Sequence, residues 1–289
     1  MRTCVKWGGI AFIASSLFAL SACYAPSTLR PQVSGMELAA EERIQQQMID
    51  EAAQTGGHPR PWRKTKGMTK RFEAVAERLE PVAAKMCQEM GLPKLKRRCY
   101  FYFKLKIGDE INAYADGDTI FFTYGIMRFF ENDDELAFVM AHEIAHNLMG
   151  HRKAKIENVK VGYLIGKMLD EAAGYNAGWA GDSVEMGALA YSQSFEAEAD
   201  YVGLYIAARA GYNIRKAPNY WRRLSIESPE ALYIATTHPT NPERFAMMQK
   251  TIQEIAYKKK HRMALLPEMA GQPIEGDYET KNIIDTMFK

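Results

Sequence analysis

The sequence predicts an α+β fold that is mostly helical, with a small β-sheet beside one central helix. Residues 133–150 have apolar side chains at steps of four, which indicates a largely buried helix. Residues 99–123 are rich in aromatic side chains and partly alternate, which is typical of short strands. The chain of 289 residues is 47% hydrophobic and 25% charged, as is ordinary for a globular protein. Its net charge of +2 gives no electrostatic argument for nucleic acid.

The N-terminus has the features of a bacterial lipoprotein signal. Arg2 and Lys6 precede a charge-free segment, 7–22, which is typical of the hydrophobic region of a signal peptide. Small residues come directly before Cys23, and this resembles the lipobox of bacterial lipoproteins. We therefore predict a signal peptide over 1–22, cleavage before Cys23 and lipidation of that cysteine.

Two other interpretations of this region stay open. It could be an ordinary cleaved signal with an incidental cysteine, or an uncleaved anchor helix, although the apolar run is short for a span and Pro26 follows it. Tyr24, rather than aspartate, comes after the cysteine. By the usual Gram-negative sorting pattern, this residue predicts the outer membrane, on the side that faces the periplasm.

The next part of the chain predicts a tether and two helices. Residues 23–35 contain two prolines and a glycine and are expected to connect the lipid to the body. Residues 36–53 are rich in Glu, Gln, Ala and Met and predict a helix, which the glycines and prolines of 56–61 break. A second helix is predicted over about 69–90, in which Pro81 is expected to cause a kink or a break.

The small sheet is predicted from three segments. Residues 99–107 alternate at their end, and residues 111–115 are short and compatible with a strand. The turn sequence 116–118 then leads to a third strand over 119–123. A short helix over 124–130 is expected to lead to the central helix.

Local signals mark both ends of the central helix. Asn132, followed three residues later by Glu135, resembles a capping box, and Gly150 is a plausible stop. The segment 152–190 that follows is punctuated by glycines and predicts less regular structure. It is either a mobile flap or a long connection.

Helical periodicity returns in the last third of the chain. We predict a helix over 186–210 that stops at Gly211, and a final helix over 242–260. The predicted folded domain covers 36–265, and a C-terminal tail without a clear period covers 266–289.

Cys87 and Cys99 would be the cysteines of the mature chain other than the lipidated one. In an oxidising compartment they could form a disulfide between a helix and a strand. The alternative is two unpaired thiols, one of them buried.

The central helix carries the pattern H-E-x-x-H. His142 and His146 lie one turn apart on one helix face, so both imidazoles can reach one metal ion. Glu143 lies beside the first histidine, within reach of a water on that ion. Two histidines and a glutamate on a buried helix need polar partners, which a metal supplies. The pattern therefore predicts a zinc hydrolase.

A catalytic zinc needs a third protein ligand. The metzincin pattern would continue with a glycine and a histidine, but those two positions hold Met149 and Arg152. His151 is one place out of register and is interpreted as a helix-end residue. A thermolysin-like site takes a glutamate from a later helix, for which Glu196 is the first candidate. Glu198 is the rival, two residues away and facing elsewhere.

Three motifs together resemble one metallopeptidase family. His142-Glu143-x-x-His146, Glu196-x-x-Ala199-Asp200 and His238-Pro239-x-x-x-x-Arg244 are similar to motifs of the zinc metallopeptidases that include HtpX, BepA, Oma and the CAAX prenyl protease. Residues 111–115 also resemble a strand of that family. The resemblance covers roughly residues 70–255. It implies a zincin-like (gluzincin) fold, one Zn²⁺ per chain and a metalloendopeptidase activity.

The resemblance also assigns roles to single residues. It favours Glu196 over Glu198 as the third metal ligand, beside His142 and His146, with Glu143 as the catalytic base. Asp200, Arg244 and His238 are expected to support or regulate this site. Asp200 could accept a hydrogen bond from a ligand histidine, and Arg244 could brace Asp200 or form a surface salt bridge. His238 could stabilise the oxyanion, latch the metal or simply precede Pro239.

The expected function is cleavage of misfolded or unfolded envelope proteins by an enzyme held at the membrane by its lipid. Residues 111–115 are the candidate edge strand for substrate backbone, the alternative being an ordinary hairpin arm. Two other functions stay open: a zinc-binding lipoprotein chaperone or scaffold with repressed proteolysis, and a cell-wall amidase.

Overall fold

A computed structural model gives the structure of the chain and describes residues 28–54, 67–92, 99–173, 181, 192–227 and 241–270. The predicted signal peptide over 1–22, Cys23 and His238 lie outside these residues, so the predictions made for them stay predictions. The elements of the described residues, in chain order, are α1 (Gly35–Gln54), α2 (Met68–Glu89), β1 (Tyr102–Lys106), β2 (Ala113–Asp116), β3 (Thr119–Thr123), α3 (Tyr124–Phe129), α4 (Asp133–Met149), α5 (His151–Ala173), α6 (Ser192–Arg209), a 3-10 turn (Ile214–Lys216), α7 (Ala217–Glu227) and α8 (Pro242–Lys260).

The central helix α4 begins and ends where its local sequence predicts. The side chain of Asn132 accepts a hydrogen bond from the backbone N–H of Glu135, so one of the free amides of the first turn is satisfied. Gly150 adopts a left-handed conformation (φ 70°) and closes the last turn, a geometry that glycine adopts without steric cost. Most side chains between these caps are buried, because α4 lies in the middle of the core.

The sheet has three strands in the order β1-β3-β2. β2 and β3 form an antiparallel hairpin whose turn has Gly117 at φ 75°, and β1 pairs with β3 in parallel. The predicted strand over 119–123 is confirmed, whereas those over 99–107 and 111–115 are narrower or shifted in the structure. β2 lies at one edge of the sheet and also packs against α4.

Helix α6 makes the most extensive contact with α4, and a glycine allows it. A Cβ atom placed on Gly203 would lie 3.0 Å from both the Cα and the backbone N of His142. A larger side chain at Gly203 would therefore push the two helices apart at the first histidine of the H-E-x-x-H motif. This close approach brings the acidic residues of α6 onto the histidines of α4.

One prediction about helices needs correction, and another is narrowed. The first part of the segment 152–190, expected to be less regular, is a continuous helix from His151 to Ala173 (α5), and Gly162 and Gly166 do not interrupt it. The rest of that segment, apart from residue 181, lies outside the described residues. Of the two outcomes expected at Pro81, a break is excluded, because α2 runs from Met68 to Glu89, and a kink stays a prediction. Residues 214–227 form a 3-10 turn and α7, for which no element was predicted.

Among the described residues, none of the helices combines the length and apolar character needed to cross a bilayer.

The N-terminal residues pack on the body. Helix α1 lies against α7 and α8, and Glu41 of α1 forms a buried, two-pronged ion pair with Arg222 of α7 at 2.7 and 2.9 Å. Before α1, the backbone N–H of Leu29 donates to the carbonyl of Glu268, and Thr28 forms a β-bridge with Met269. Part of the predicted tether thus lies against the folded domain.

Candidate metal centre

Three predicted ligand side chains converge at the contact between α4 and α6. The Nε2 atoms of His142 and His146 are 3.0 Å apart. Glu196 places Oε2 at 3.2 Å from Nε2 of His142 and Oε1 at 3.2 Å from Nε2 of His146. The three side chains offer ligand atoms that lie within 4.8 Å of one another.

These distances fit a zinc ion. Zinc–nitrogen and zinc–oxygen bonds of about 2.0–2.2 Å at tetrahedral angles separate ligand atoms by roughly 3.3 Å. Two imidazoles and one carboxylate also form a donor set that catalytic zinc sites use, with a fourth position left for water or substrate. The residues present therefore match the requirements of a catalytic zinc ion.

The charges around the two histidines favour a cation between them. Burial acts to lower the pKa of His142, but hydrogen bonds and charge from Asp200 and Glu196 raise this pKa to about 9. Burial lowers the pKa of His146 to about 3. Without a metal, His142 therefore carries a proton on both ring nitrogens below about pH 9, whereas the ring of His146 stays neutral. A divalent cation would have to displace the Nε2 proton of His142, so we expect metal affinity to fall as the pH drops below about 9.

Asp200 and Arg244 support the first histidine from behind. Nδ1 of His142 lies 2.9 Å from Oδ1 of Asp200. Arg244 donates from Nε to Oδ2 of Asp200 at 2.7 Å and from Nη2 to Oδ1 at 2.9 Å. Nη1 of Arg244 also lies 3.5 Å from Oε2 of Glu196. All three side chains are buried, so Arg244 forms an internal ion pair and not a surface salt bridge.

Glu143, the predicted base, is buried beside the ligands, with 1% of its surface exposed. Burial raises the pKa of the Tyr220 phenol, and the negative charge of Glu143 raises it further. The phenol therefore stays protonated. If zinc were bound, this buried carboxylate, which follows a predicted ligand histidine in the chain, would be the group to take a proton from the water that zinc activates.

Sequence reasoning missed Trp221, an aromatic neighbour of the site. The ring centroid of Trp221 lies 5.3 Å from that of His142, and the guanidinium of Arg244 lies 4.7 Å from the centroid of the Trp221 ring. The indole therefore packs against both a predicted metal ligand and the cation of the supporting pair. A signal was present, because Ala217, Tyr220, Trp221 and Leu224 recur at the spacing of an amphipathic helix, but α7 was not predicted from it.

His151 and Glu198 lie outside the converging ligand set, as predicted, but they contact it from the other side. His151 does begin a helix and is not among the converging ligands, but its Nδ1 lies 2.9 Å from Nδ1 of His146. Its Nε2 lies 2.8 Å from Oε2 of Glu198, the rejected rival of Glu196. Burial raises the pKa of Glu198, but hydrogen bonds from His151 and Thr28 outweigh burial and lower it.

Of the remaining predicted site residues, Cys87 and Cys99 form a disulfide that links the end of α2 to the residues before β1. Cys23 and His238 lie outside the described residues. Lipidation of Cys23 and a role of His238 as latch or oxyanion stabiliser therefore stay predictions.

Comparison with known proteins gives a family match and several relatives. Residues 73–252 match the model of Peptidase family M48. The chain is 32% identical over 168 residues to the "Beta-barrel assembly-enhancing protease" of Yersinia pestis, which covers 52% of this chain and 34% of the relative. The protein of the same name from Escherichia coli is 32% identical over 165 residues, covering 50% of this chain and 33% of the relative.

A mitochondrial relative is also found. The "Mitochondrial metalloendopeptidase OMA1" of Schizosaccharomyces pombe is 27% identical over 154 residues, which covers 52% of this chain and 46% of the relative. The chain thus spans between a third and a half of the length of these relatives. The residues that match the family model, 73–252, contain the converging ligands and their supporting residues, since these lie between positions 142 and 244.

Proposed function

Since the chain belongs to peptidase family M48, a family of zinc-dependent metalloendopeptidases, we propose that it is a zinc-dependent endopeptidase of the gluzincin type with one Zn²⁺ per chain. The observation that carries this proposal is the convergence of His142, His146 and Glu196 at distances suited to zinc, with Glu143 beside them. The third ligand is a glutamate from a later helix, as in the thermolysin-like arrangement.

The residues of the site divide the work of peptide hydrolysis. His142, His146 and Glu196 would hold zinc, which when bound supplies a Lewis acid and an acidified water. The carboxylate of Glu143 accepts the proton of the attacking water and then delivers it to the leaving amine of the peptide. Asp200 and Arg244 keep the first histidine ring in position, because Asp200 accepts its Nδ1–H and Arg244 fixes Asp200.

The edge strand β2 provides a place for the substrate backbone. β2 pairs with β3 on one side, and within the described sheet its other side is an edge, next to α4. An extended peptide can add to such an edge through backbone hydrogen bonds, which do not depend on the substrate's sequence. This mode suits an enzyme that takes unfolded segments of many proteins.

We further propose a location and a substrate class. The signal-like segment 1–22 and Cys23 support a lipid-anchored enzyme of the bacterial envelope, at the outer membrane and facing the periplasm. Two relatives are named as proteases that enhance β-barrel assembly, which supports misfolded or unfolded envelope proteins as substrates. The proposed partners are these substrates and the membrane. We propose no nucleic-acid partner.

The substitution Glu143→Gln tests the proposed activity. We expect the variant to retain one equivalent of zinc and to lose at least about 100-fold of its rate on unfolded casein, because the proton acceptor is gone. Glu135→Gln is the matched control: it makes the same change on the same helix, where the carboxylate pairs with Arg223. If Glu143→Gln kept zinc and full activity, the protease would be excluded and a zinc-binding chaperone or scaffold would be favoured.

A parallel assay separates the protease from an amidase. The wild-type protein is incubated with casein and, separately, with purified peptidoglycan. We expect new peptide termini from casein and no release of stem peptides from peptidoglycan. The reverse result would assign the site to cell-wall hydrolysis.

A further inference from the structure

The second metal ligand, His146, is connected to the N-terminal segment of the chain through two buried side chains. We propose that Thr28, Glu198 and His151 form a relay that orients His146 for metal binding, so that the segment before α1 is a structural part of the metal centre. This inference rests on the proposed zinc site and concerns how the chain holds it.

Each step of the relay is a short contact. Thr28 donates its backbone N–H and its hydroxyl to Oε1 of Glu198, at 2.7 and 2.8 Å. The other carboxylate oxygen of Glu198 lies 2.8 Å from Nε2 of His151. Nδ1 of His151 lies 2.9 Å from Nδ1 of His146. The path therefore runs without interruption from residue 28 to a metal ligand.

The direction of the relay follows from the metal. If Nε2 of His146 gives its lone pair to zinc, the neutral ring carries its proton on Nδ1 and donates it to His151. Nδ1 of His151 is then an acceptor, so its proton lies on Nε2 and is donated to Glu198. The carboxylate of Glu198 accepts from His151 on one oxygen and from Thr28 on the other. With both imidazoles neutral, this arrangement gives every donor of the relay an acceptor and leaves Nε2 of His146 for the metal.

The relay is held rigidly. Relative exposure is 4% for His151, 1% for Glu198 and 7% for Thr28. The ring of His151 stacks on Phe195, with centroids 4.7 Å apart and planes 18° apart. Because these groups are buried, each one can exchange little of its hydrogen bonding with water, so loss of one contact leaves its partner poorly satisfied.

A buried carboxylate therefore supports each of the two histidine ligands, directly in one case and through a second histidine in the other. His142 donates directly to a carboxylate, Asp200, which an arginine fixes. His146 reaches its carboxylate, Glu198, through His151, and this carboxylate is fixed by a backbone amide and a hydroxyl. Outer hydrogen bonds of this kind tune metal affinity by about 10–100-fold.

The anchor of the relay lies outside the region that defines the family. Thr28 precedes residues 73–252, which match the family model. The segment is held in place by the N–H of Leu29, which donates to Glu268, and by Arg30, whose Nη1 donates to the carbonyl of Ser194 at 2.7 Å. Displacement of this segment would remove both donors of Thr28 from Glu198 and loosen His146.

Zinc affinity of the purified full chain tests the relay, measured by competition with a chromogenic chelator. His151→Phe keeps the ring stack on Phe195 but removes both hydrogen bonds, and we expect its zinc Kd to rise about 10–100-fold. His151→Asn retains an amide oxygen close to the position of Nδ1, so its Kd should lie between those of the wild type and His151→Phe. Thr28→Val, which removes only the hydroxyl, should raise the Kd by a smaller factor.

The double variant Thr28→Val/His151→Phe distinguishes a relay from separate effects. We expect its Kd to equal that of His151→Phe alone, because Thr28 acts only through the removed ring. The control Glu41→Gln changes a buried carboxylate of the N-terminal region that pairs with Arg222, and should leave the Kd unchanged. Circular dichroism and thermal unfolding of the metal-free proteins establish folding, and Thr28→Val provides the test if the His151 variants do not fold.

Two results would overturn the relay. One is a Kd of folded His151→Phe within twofold of the wild type. The other is a Thr28→Val effect that multiplies fully with that of His151→Phe. Failure of the wild-type protein to bind zinc would refute the proposed function as well, whereas zinc binding that is insensitive to both residues would refute the relay alone.

Discussion

Replacing Asp200 by asparagine would remove the charged partner that accepts two hydrogen bonds from a buried arginine, and would leave Arg244 only the longer contact of 3.5 Å to Glu196. Arg244 is 2% exposed and gives two hydrogen bonds to the Asp200 carboxylate, which also faces His142. Burial acts to raise the pKa of Asp200, but the charge of Arg244 and the contact with His142 outweigh burial and lower it. The carboxylate is therefore ionised in the folded protein, and the substitution removes a full charge.

The size of the effect follows from these contacts. Three donors point at the two oxygens of Asp200, and asparagine replaces one oxygen by an NH₂ group that must face a donor. Breaking a buried ion pair by removing one partner costs about 3–5 kcal/mol. We expect Asp200→Asn to lower the free energy of unfolding of the metal-free protein by about this amount.

Urea unfolding in the presence of a chelator measures this loss. Arg244→Met should lower the free energy of unfolding by a similar amount, since it leaves the buried carboxylate of Asp200 without its arginine partner. The double variant Asp200→Asn/Arg244→Met should cost less than the sum of the two single changes, with a coupling of about 0.5–3 kcal/mol. A loss below about 1 kcal/mol for Asp200→Asn, or full additivity, would show that the pair is not the buried unit described here.

Three further outcomes are expected. Reduction of the disulfide between Cys87 and Cys99, twelve residues apart, should lower the free energy of unfolding by about 3 kcal/mol through loop entropy, measured by urea unfolding with and without reductant. Partial burial acts to raise the pKa of Glu37, but hydrogen bonds from Ser34 outweigh burial and lower that pKa below 4.5. The ionised Glu37 therefore stabilises the folded protein above pH 4.5, and this stabilisation is lost as the pH falls through the lowered pKa. Unfolding between pH 3 and 6 should therefore show a component that Glu37→Gln lacks. Removal of zinc should change tryptophan fluorescence, and a Trp221→Phe variant that kept this change would contradict the contact between the indole and the metal site.

Sequence patterns predicted best those features that depend on neighbouring residues. The ends of α4 follow from the side chain of Asn132 and the left-handed conformation of Gly150, both of which act within one helical turn. The hairpin between β2 and β3 follows from the turn at Gly117, and α8 begins at Pro242 as predicted. Such signals need no knowledge of the rest of the fold.

Two helices of the structure were missed for different reasons. Helix α5 contains Gly162 and Gly166, each of which costs roughly 1 kcal/mol relative to alanine in a helix, but its other residues are rich in Lys, Ala, Glu and Leu, which favour a helix. Helix α7 has apolar residues at helical spacing, which local sequence could have revealed. The contact of Trp221 with His142 could not be predicted in this way, because it joins residues far apart in the chain.

The acidic residues of α6 show how a prediction about metal ligands can hide a second role of a residue that it leaves out. Glu196 and Asp200 are four residues apart and share a helix face, while Glu198 is turned by about 200° from Glu196. Sequence reasoning therefore removed Glu198 from the site, and it removed His151 because the register was wrong for a ligand. Both arguments consider only whether a side chain could bind the metal directly. Since the left-handed Gly150 turns the chain from α4 into α5, His151 reaches the side of α6 that carries Glu198. Opposite faces of α6 then support the same site, one as ligand and the other through His151.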